Sequence, residues 1–445
     1  MNTRENQLIE AIKKEGFRGE LFALEDNCTQ ILFEDQLLSY VKEGENKGYY
    51  LRMIDKEGRM GQISFTLIDD FKELIDNCIL SASFQKRTPV EFESSSTRTD
   101  EGYLDPSFEA VSGRELIGLG NDLINNIKKV NPDIKGPVYI EKNIYNISLI
   151  TTENAVRSFR KGRINMEIEG KLSKEGDLIQ FNRFYSHGRE LPDIKAIAQS
   201  IERDHASCKN IVNLPSGKYT VILDPEVFED ISRPVEALFN GRSIEKKTSA
   251  LWDKAGSQIF DSRISIVDDP ACPFLENSVP FDDEGVPSTR LDLVKKGIMG
   301  DILLDKESSS LLGTKNNGRG FKRRALLGGR TYNAVPQPSV TNLFLKGGDL
   351  DREQIFSHSD RAVYIKSLMG TILGHHISGY VSGNVWMGFL VENGSIKGRI
   401  KDVVFSINIL DALKNNIAGL GRDVYLTKYV SSPFILLKDI QLTSK

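Results

Sequence analysis

The chain has 445 residues, with 58 lysines and arginines against 62 aspartates and glutamates, a formal charge of −4 at pH 7. With glycine counted in place of tyrosine, about 45% of it is apolar, an ordinary globular share that excludes disorder and collagen-like repetition. The charge balance exerts no overall pull toward nucleic acid or anionic lipid, so any such contact has to be a local patch.

A length of this order predicts about three domains. Cys28, Cys78, Cys208 and Cys272 form no C-x-x-C pair. Neither a disulfide framework nor a cysteine-rich zinc site is indicated, which suits a reducing cytoplasm. The opening MNTRENQLIEAIKKEG lacks the apolar stretch of a secretory leader. No run reaches the ~18–20 apolar residues that span a bilayer, so a cytoplasmic protein without membrane contact is expected.

In chain order, residues 3–15 read as an amphipathic helix with Leu8, Ile9 and Ile12 on one face and Gly16 as its stop. Between Phe17 and Leu67, β-prone runs such as CTQILFED, YYLRMID and QISFTLI alternate with turn signals such as EGENKG. This predicts an antiparallel meander, closed by a helix over 69–84. The polar, turn-rich stretch 86–110 reads as a linker or surface loop. A helix over 113–129, strands in VYIEKN, YNISLIT, INMEIEGKLS and LIQFNRFYS, and a helix over 193–206 make a second α+β unit.

SCKNIVNLPSGK, with Pro215 and Gly217, reads as a boundary. Beyond it YTVILD runs into a helix with Asp224 as N-cap and Pro225 at its first position. The remainder is β-prone and glycine-rich. Hairpins are predicted in LVKKGIMGDILL and in GFLVENGSIKG, where Asn393-Gly394 suits a two-residue type I′ turn. A short helix near 408–418 and a strand in PFILLKDIQL close the chain. The expected fold class is α+β: mixed helix and antiparallel sheet in the N-terminal half, then a β-rich C-terminal domain of antiparallel strands with few helices. The expected pieces are 1–95, 96–210 and 211–445.

Several segments invite a chemical reading. The acidic residues Asp268-Asp269 and Asp282-Asp283-Glu284-Gly285 suggest a divalent metal, but they lack the alternate-position carboxylates of a calcium loop. A turn whose side-chain oxygens accept backbone N–H bonds fits better. GTKNNGRGFKRR has glycines at phosphate-loop spacing, with Arg319-Gly320 where that loop needs Lys and Ser or Thr. Arg319, Lys322, Arg323, Arg324 and Arg330 are of the type that binds a carboxylate or a phosphate backbone, or forms a salt-bridged loop. Gly118-Leu119-Gly120 and Gly419-Leu420-Gly421 lack the third glycine of a dinucleotide motif and read as packing or capping glycines. None of the histidines, His187, His205, His358, His375 and His376, precedes a glutamate, so H-E-x-x-H is absent.

Taken in order, SRISIVDDP, PFDDEGVPSTR, KKGIMGDILLDKESSSLLGTKNNGRGFKR, PQPSVTNLFLKGGD and SGYVSGNVWMGFLVENGSI resemble the C-terminal part of the TldD/PmbA family. Asp268, Asp269, Phe281, Asp282, Asp283, Glu284, Gly285, Asn393 and Gly394 carry the resemblance, and SHGRELPDI ahead of a helix is similar too. The family comprises cytosolic zinc metallopeptidases, also known as modulators of DNA gyrase. Its TldD branch carries H-E-x-x-x-H on a helix and a cysteine ligand near the C-terminus. Its PmbA branch, also called TldE, lacks these ligands and pairs with TldD in a heterodimer that cleaves unfolded or leader peptides.

Carried onto this chain, the resemblance places Glu236 at the general-base position and Val235 and Asn240 where the two histidines would stand, and the last cysteine is Cys272. Catalytic zinc needs ~three protein ligands. The resemblance therefore implies a PmbA-type subunit with no cofactor of its own, zinc in a TldD-like partner, and a heterodimer or homodimer acting on unfolded peptides. Peptides add to such β-rich surfaces as strands, with Arg319, Arg323, Arg324, Asn384 and Gly388 as candidate peptide or partner contacts. Two alternatives stay open. One is a self-standing metallopeptidase with ligands among His187, His205, His358, His375 and Cys208. The other is a gyrase- or nucleic-acid-binding module using the basic residues from Arg319 to Arg330.

Overall fold

The computed structural model describes residues 3–94, 97–100, 102–174, 177–272, 274–323, 329–373, 375–427 and 430–444. Helix α1 (Thr3–Lys14) buries Leu8, Ile9 and Ile12, the expected face, and Gly16 follows it with φ +78°. Strands β1 (Arg18–Glu34), β2 (Leu37–Ile54) and β3 (Met60–Phe65) form the antiparallel meander. The β1–β2 turn is Asp35-Gln36, both at positive φ, and EGENKG stays extended within β2. Continuous pairing with β1, from Glu43↔Thr29 to Lys47↔Glu25, overrides its local turn propensity.

Helix α2 (Phe71–Ser83) starts where Asp70 accepts the N–H groups of Lys72 and Glu73, and it buries Ile75, Cys78 and Ala82. The stretch expected to be a linker or loop contains β4 (Thr97–Asp100) and α3 (Pro106–Glu109). Helix α4 (Gly113–Val130) opens with a capping box between Ser112 and Glu115. A Cβ on its Gly120 would lie 2.2 Å from the Phe33 ring, so Gly118-Leu119-Gly120 includes a packing glycine.

VYIEKN and YNISLIT are one strand, β5 (Val138–Thr151), which precedes β6 (Val156–Lys174), β7 (Asp177–His187) and helix α5 (Ile194–Ser207). One seven-stranded sheet, ordered β3-β2-β1-β5-β6-β4 with β7 also on β6, runs through both N-terminal ranges.

The C-terminal half begins with β8 (Gly217–Leu223), which pairs in parallel with the strand Arg361–Met369 and antiparallel with Ile435–Ser444. Helix α6 starts later than expected, at Val227, and runs to Phe239. Asp224 instead closes a turn: its side chain accepts the Glu226 N–H, its carbonyl accepts that of Val227, and its carboxylate takes the Tyr364 hydroxyl. Val227, Phe228, Ile231, Val235, Leu238 and Phe239 of α6 enter one large core with residues of the six-stranded and the seven-stranded C-terminal sheets. Asn393 and Gly394 lie at φ 48° and 76°, joining Tyr380–Glu392 to Ser395–Arg399 as the two-residue turn requires. The architecture is α+β, with β4 parallel to β6 in the otherwise antiparallel N-terminal sheet and two parallel strand pairings in the otherwise antiparallel C-terminal sheets.

Close approach of α2 to the sheet depends on Gly61, where a Cβ would lie 1.8 Å from the Cys78 carbonyl oxygen, whereas Gly44 has nothing within 4 Å. Gly61→Ala is expected to cost about 1–3 kcal/mol by overpacking and Gly44→Ala less than ~0.5 kcal/mol. Urea unfolding of the two variants checks this.

Candidate functional site

The acidic loop after Pro280 is buried at the seam between the N-terminal sheet and the C-terminal domain. Asp282, Asp283 and Glu284 are at most 1% exposed, and a buried carboxylate persists only when hydrogen-bonded or paired. Asp282 accepts the backbone N–H groups of Glu284, Val286 and Gly320. Asp283 accepts the Lys322 N–H and the Arg330 guanidinium. Glu284 accepts the Lys306 N–H and, at 2.7 Å, a guanidinium nitrogen of Arg52 from β2. Arg52 is itself bound to Glu20 of β1, and Lys306 lies 3.8 Å from the same carboxylate. Phe281 packs edge-on against Phe159 of β6 at 5.0 Å between ring centroids. Gly285, at φ +80°, leaves no room for a Cβ beside Leu149. The turn is built of side-chain oxygens accepting N–H groups, as expected, but it also ties the two halves together.

Lys322 and Arg319 belong to the same seam. Lys322 is fully buried with its Nζ 3.0 Å from the centroid of the Tyr50 ring. Burial, then the nearby Arg52 charge, pushes its pKa well below the ordinary lysine range. Arg319, expected as a peptide or partner contact, has no exposed surface. Its Nε donates to Asp268, and its other nitrogens to the carbonyls of Asn317, Gly318 and Thr289. Asp268 also accepts the N–H and hydroxyl of Thr341. Asp269 caps Ala271, and its carbonyl holds Asn342. With every direction around the guanidinium filled by this chain, Arg319 braces the domain and offers no face to a ligand.

Helix α6 carries the positions implied for metal ligation. Val235 is fully buried in the core. Asn240 sits at the start of helix α7 (Gly241–Glu245), its oxygen accepting the N–H groups of Arg242 and Ser243 and its nitrogen donating to the Pro338 carbonyl. Both ends of the Asn240 amide are therefore occupied. Burial raises the Glu236 carboxyl, opposed by the Arg323 charge and by hydrogen bonds from the Ser339 hydroxyl and the Val340 N–H. A hydrocarbon, a committed amide and one carboxylate do not make a zinc site.

The remaining candidates are dispersed. Arg323 is half-buried, its guanidinium over the Phe321 ring. Arg324 lies outside the described residues. Asn384 is exposed on Tyr380–Glu392, whereas Gly388 of the same strand is buried, with a Cβ there 2.5 Å from Val385. His187 accepts the N–H groups of Arg189 and Glu190, His205 contacts Asn131, His358 ends the helix Arg352–Ser357, and His375 contacts Ser378. Burial pushes the Cys208 thiol up to about 12. Among the described residues no three of His, Cys, Asp or Glu are grouped so as to hold a metal ion. Nor is any helix among them long and apolar enough to cross a membrane.

The structure brings forward residues that sequence reading passed over. Arg52 stands within the apolar run YYLRMI, and Lys161 and Arg163 alternate along β6; a charge inside a strand that is otherwise buried was the available signal. A cleft of about 630 Å³ opens over the N-terminal sheet, where Lys47 faces Glu5 and Glu25 and Arg160 pairs with Glu109. A smaller cavity of about 40 Å³ lies at the seam, lined in part by Lys161, Arg163, Arg323 and Arg330.

The family model for the PmbA/TldA metallopeptidase C-terminal domain matches residues 216–444. The chain belongs to the PmbA/TldD family. The family's metalloprotease character is reflected in its relatives. A "Metalloprotease" of Methanothermobacter thermautotrophicus is 23% identical over 418 residues, covering 89% of this chain and 86% of that one. "Metalloprotease PmbA" of Escherichia coli O157:H7 is 25% identical over 277 residues, covering 62% of this chain and 57% of its own length. The crystal structure of TldE from Thermococcus kodakarensis superposes with a TM-score of 0.89 at 17% identity, covering 99% of this chain and 100% of the other. This last likeness establishes a common fold.

Within this PmbA/TldD scaffold, Arg319→Met strips the partner from buried Asp268 and is expected to cost about 3–5 kcal/mol, measured by urea unfolding. The pH response tests the Glu284 site. Burial alone would raise the Glu284 carboxyl, but the Arg52 and Lys306 charges outweigh it and hold it below the ordinary glutamate range. A depressed folded value gives stability that is complete above the ordinary range and lost as pH falls through the folded value. The thermal midpoint of the native chain should therefore fall more steeply below about pH 4.5 than that of Glu284→Gln.

Proposed function

We propose that this chain is a PmbA-type, TldE-like subunit that holds no catalytic zinc itself and works with a TldD-like metallopeptidase on unfolded or leader peptides. The observation that carries the reading is the state of Asn240. Its amide oxygen caps α7 and its nitrogen holds Pro338, so the position implied for a histidine ligand serves helix geometry. Val235, at the other histidine position, faces the hydrophobic core. Glu236 is then a carboxylate with no ion beside it to lower the pKa of a water, and general-base attack on a peptide has no activated nucleophile.

Membership of a metalloprotease family supports a role in peptide handling, and a fold shared over the whole length with a TldE supports the non-catalytic branch. In this reading the partner supplies zinc and hydrolysis. This chain contributes walls of the peptide chamber and strand edges that bind extended chains through main-chain hydrogen bonds.

Metal analysis and peptide hydrolysis by the purified chain, alone and mixed with a TldD-like protein bearing H-E-x-x-x-H, test the proposal. The chain alone is expected to carry no stoichiometric zinc and to leave an unfolded peptide intact. The mixture is expected to form a stable complex that cleaves it in a chelator-sensitive way. Zinc bound one-to-one by the isolated chain, with matching hydrolysis, overturns the reading.

A further inference from the structure

The 40 Å³ cavity at the seam has an unusual charge balance. Lys161 and Arg163 reach it from one face of β6, two residues apart, and Arg323 and Arg330 reach it from the segment that follows the acidic loop. The only carboxylate lining it among the described residues is Glu276. Arg330 is balanced by Asp283 behind it. Arg163 approaches Glu141 and Glu276 only at 3.5 and 3.4 Å. Neither Lys161 nor Arg323 has a carboxylate within ion-pair distance among the described residues. The wall is thus positive within a chain whose formal charge is −4.

Two groups in this wall are incompletely matched. Lys161 is 6% exposed, and its Nζ donates to the carbonyls of Glu276 and Ser278 at 2.5 and 3.2 Å. An ammonium has three donors, so one is left for an occupant. Burial and then the Arg330 charge push the Lys161 pKa well below the ordinary range, a crowding that an anion would relieve. The Glu276 side chain is 10% exposed, and its Oε2 has no hydrogen-bond partner among the described residues. A buried acceptor in this state favours a ligand that brings an N–H.

The occupant therefore needs an anionic head and an adjacent donor. A nucleic-acid backbone supplies the first alone and sets its charge against Glu276, and inorganic phosphate supplies an O–H donor but no N–H. The last residue of a peptide supplies both, because its α-carboxylate and its amide N–H are attached to one Cα. The volume exceeds the roughly 10–15 Å³ that one water needs and suits a carboxylate group. The Tyr145 and Phe321 side chains flank it.

We propose that this cavity binds the free C-terminus of a peptide, with the α-carboxylate held by Lys161, Arg163 and Arg323 and the terminal amide N–H held by Glu276. The assignment rests on the peptide-handling reading above and adds to it which end of the peptide is recognised.

The test is fluorescence anisotropy of the full chain with an N-terminally labelled, unstructured hexapeptide, either as the free acid or as the C-terminal amide. The free acid is expected to bind at least about tenfold tighter, the scale of one charge-assisted contact. In Arg323→Met that preference should fall to about twofold or less, with Arg323→Lys keeping part of it. Glu276→Gln alters the acceptor for an N–H common to both peptides, so it should weaken the binding of both and leave the preference for the free acid. Equal binding of the two peptides by the native chain overturns the C-terminus assignment and leaves the peptide-handling reading standing. Displacement by inorganic phosphate as effective as that by unlabelled free-acid peptide overturns it as well, showing a plain oxyanion site. If neither peptide binds the chain or its complex with a TldD-like partner, both readings fall.

Discussion

The constraint on which the rest depends is the cost of enclosing charge. Arg52 links Glu284 to Glu20, Lys306 approaches Glu20, and Asp283 pairs separately with Arg330, so these charges meet at the seam, most of them removed from water. A buried ion pair is weak as a source of net stability, yet removing one partner is severely destabilising. Its effect is to make the two halves conditional on each other. Arg52 comes from β2, Glu284 from the acidic loop and Lys306 from the helix Lys306–Leu312, and Glu284 keeps both of its partners only when all three are in register. The aromatic contact of Phe281 with Phe159 and the lysine–ring contact of Lys322 with Tyr50 cross the same seam.

This rigidity bears on function in two ways. The segment carrying the implied ligand positions is held from several sides: Val235 by the core, Glu236 by Ser339 and Val340, Asn240 by its cap on α7 and by Pro338. The segment is thus held in shape by contacts within this chain. The seam that fixes the two halves also brings basic side chains from both to one small cavity. Lys161 and Arg163 belong to the N-terminal sheet and Arg323 to the C-terminal domain, so the cavity exists only in the docked arrangement.

Much of the element pattern was legible. The 3.6-residue periodicity around Leu8, Ile9 and Ile12 and the Asn393-Gly394 turn each mark a local event decided by neighbouring residues, and the structure contains both. EGENKG was misleading because a strand paired over its whole length suppresses a turn that its composition favours. Asp224-Pro225 was misleading by a few residues because the Asp224 side chain closes a turn before the helix begins. For the site, the positions of Val235, Glu236 and Asn240 could be read from a resemblance, but the duties of Asn240 could not. Arg319 read either as a contact for a carboxylate or phosphate or as part of a salt-bridged loop, and its enclosure by Asp268, Thr289 and Asn317 shows it as a brace.

The sequence by itself determined the α+β class, the places of most helices and strands, and the residue types at the implied ligand positions, because these depend on side-chain chemistry and on spacing over a few residues. The tertiary structure alone decided which charges are buried together and which of them face a cavity. Those pairings join residues as far apart as Arg52 and Glu284. Charge compensation between such residues is a property of distance in space, which spacing along the chain does not encode.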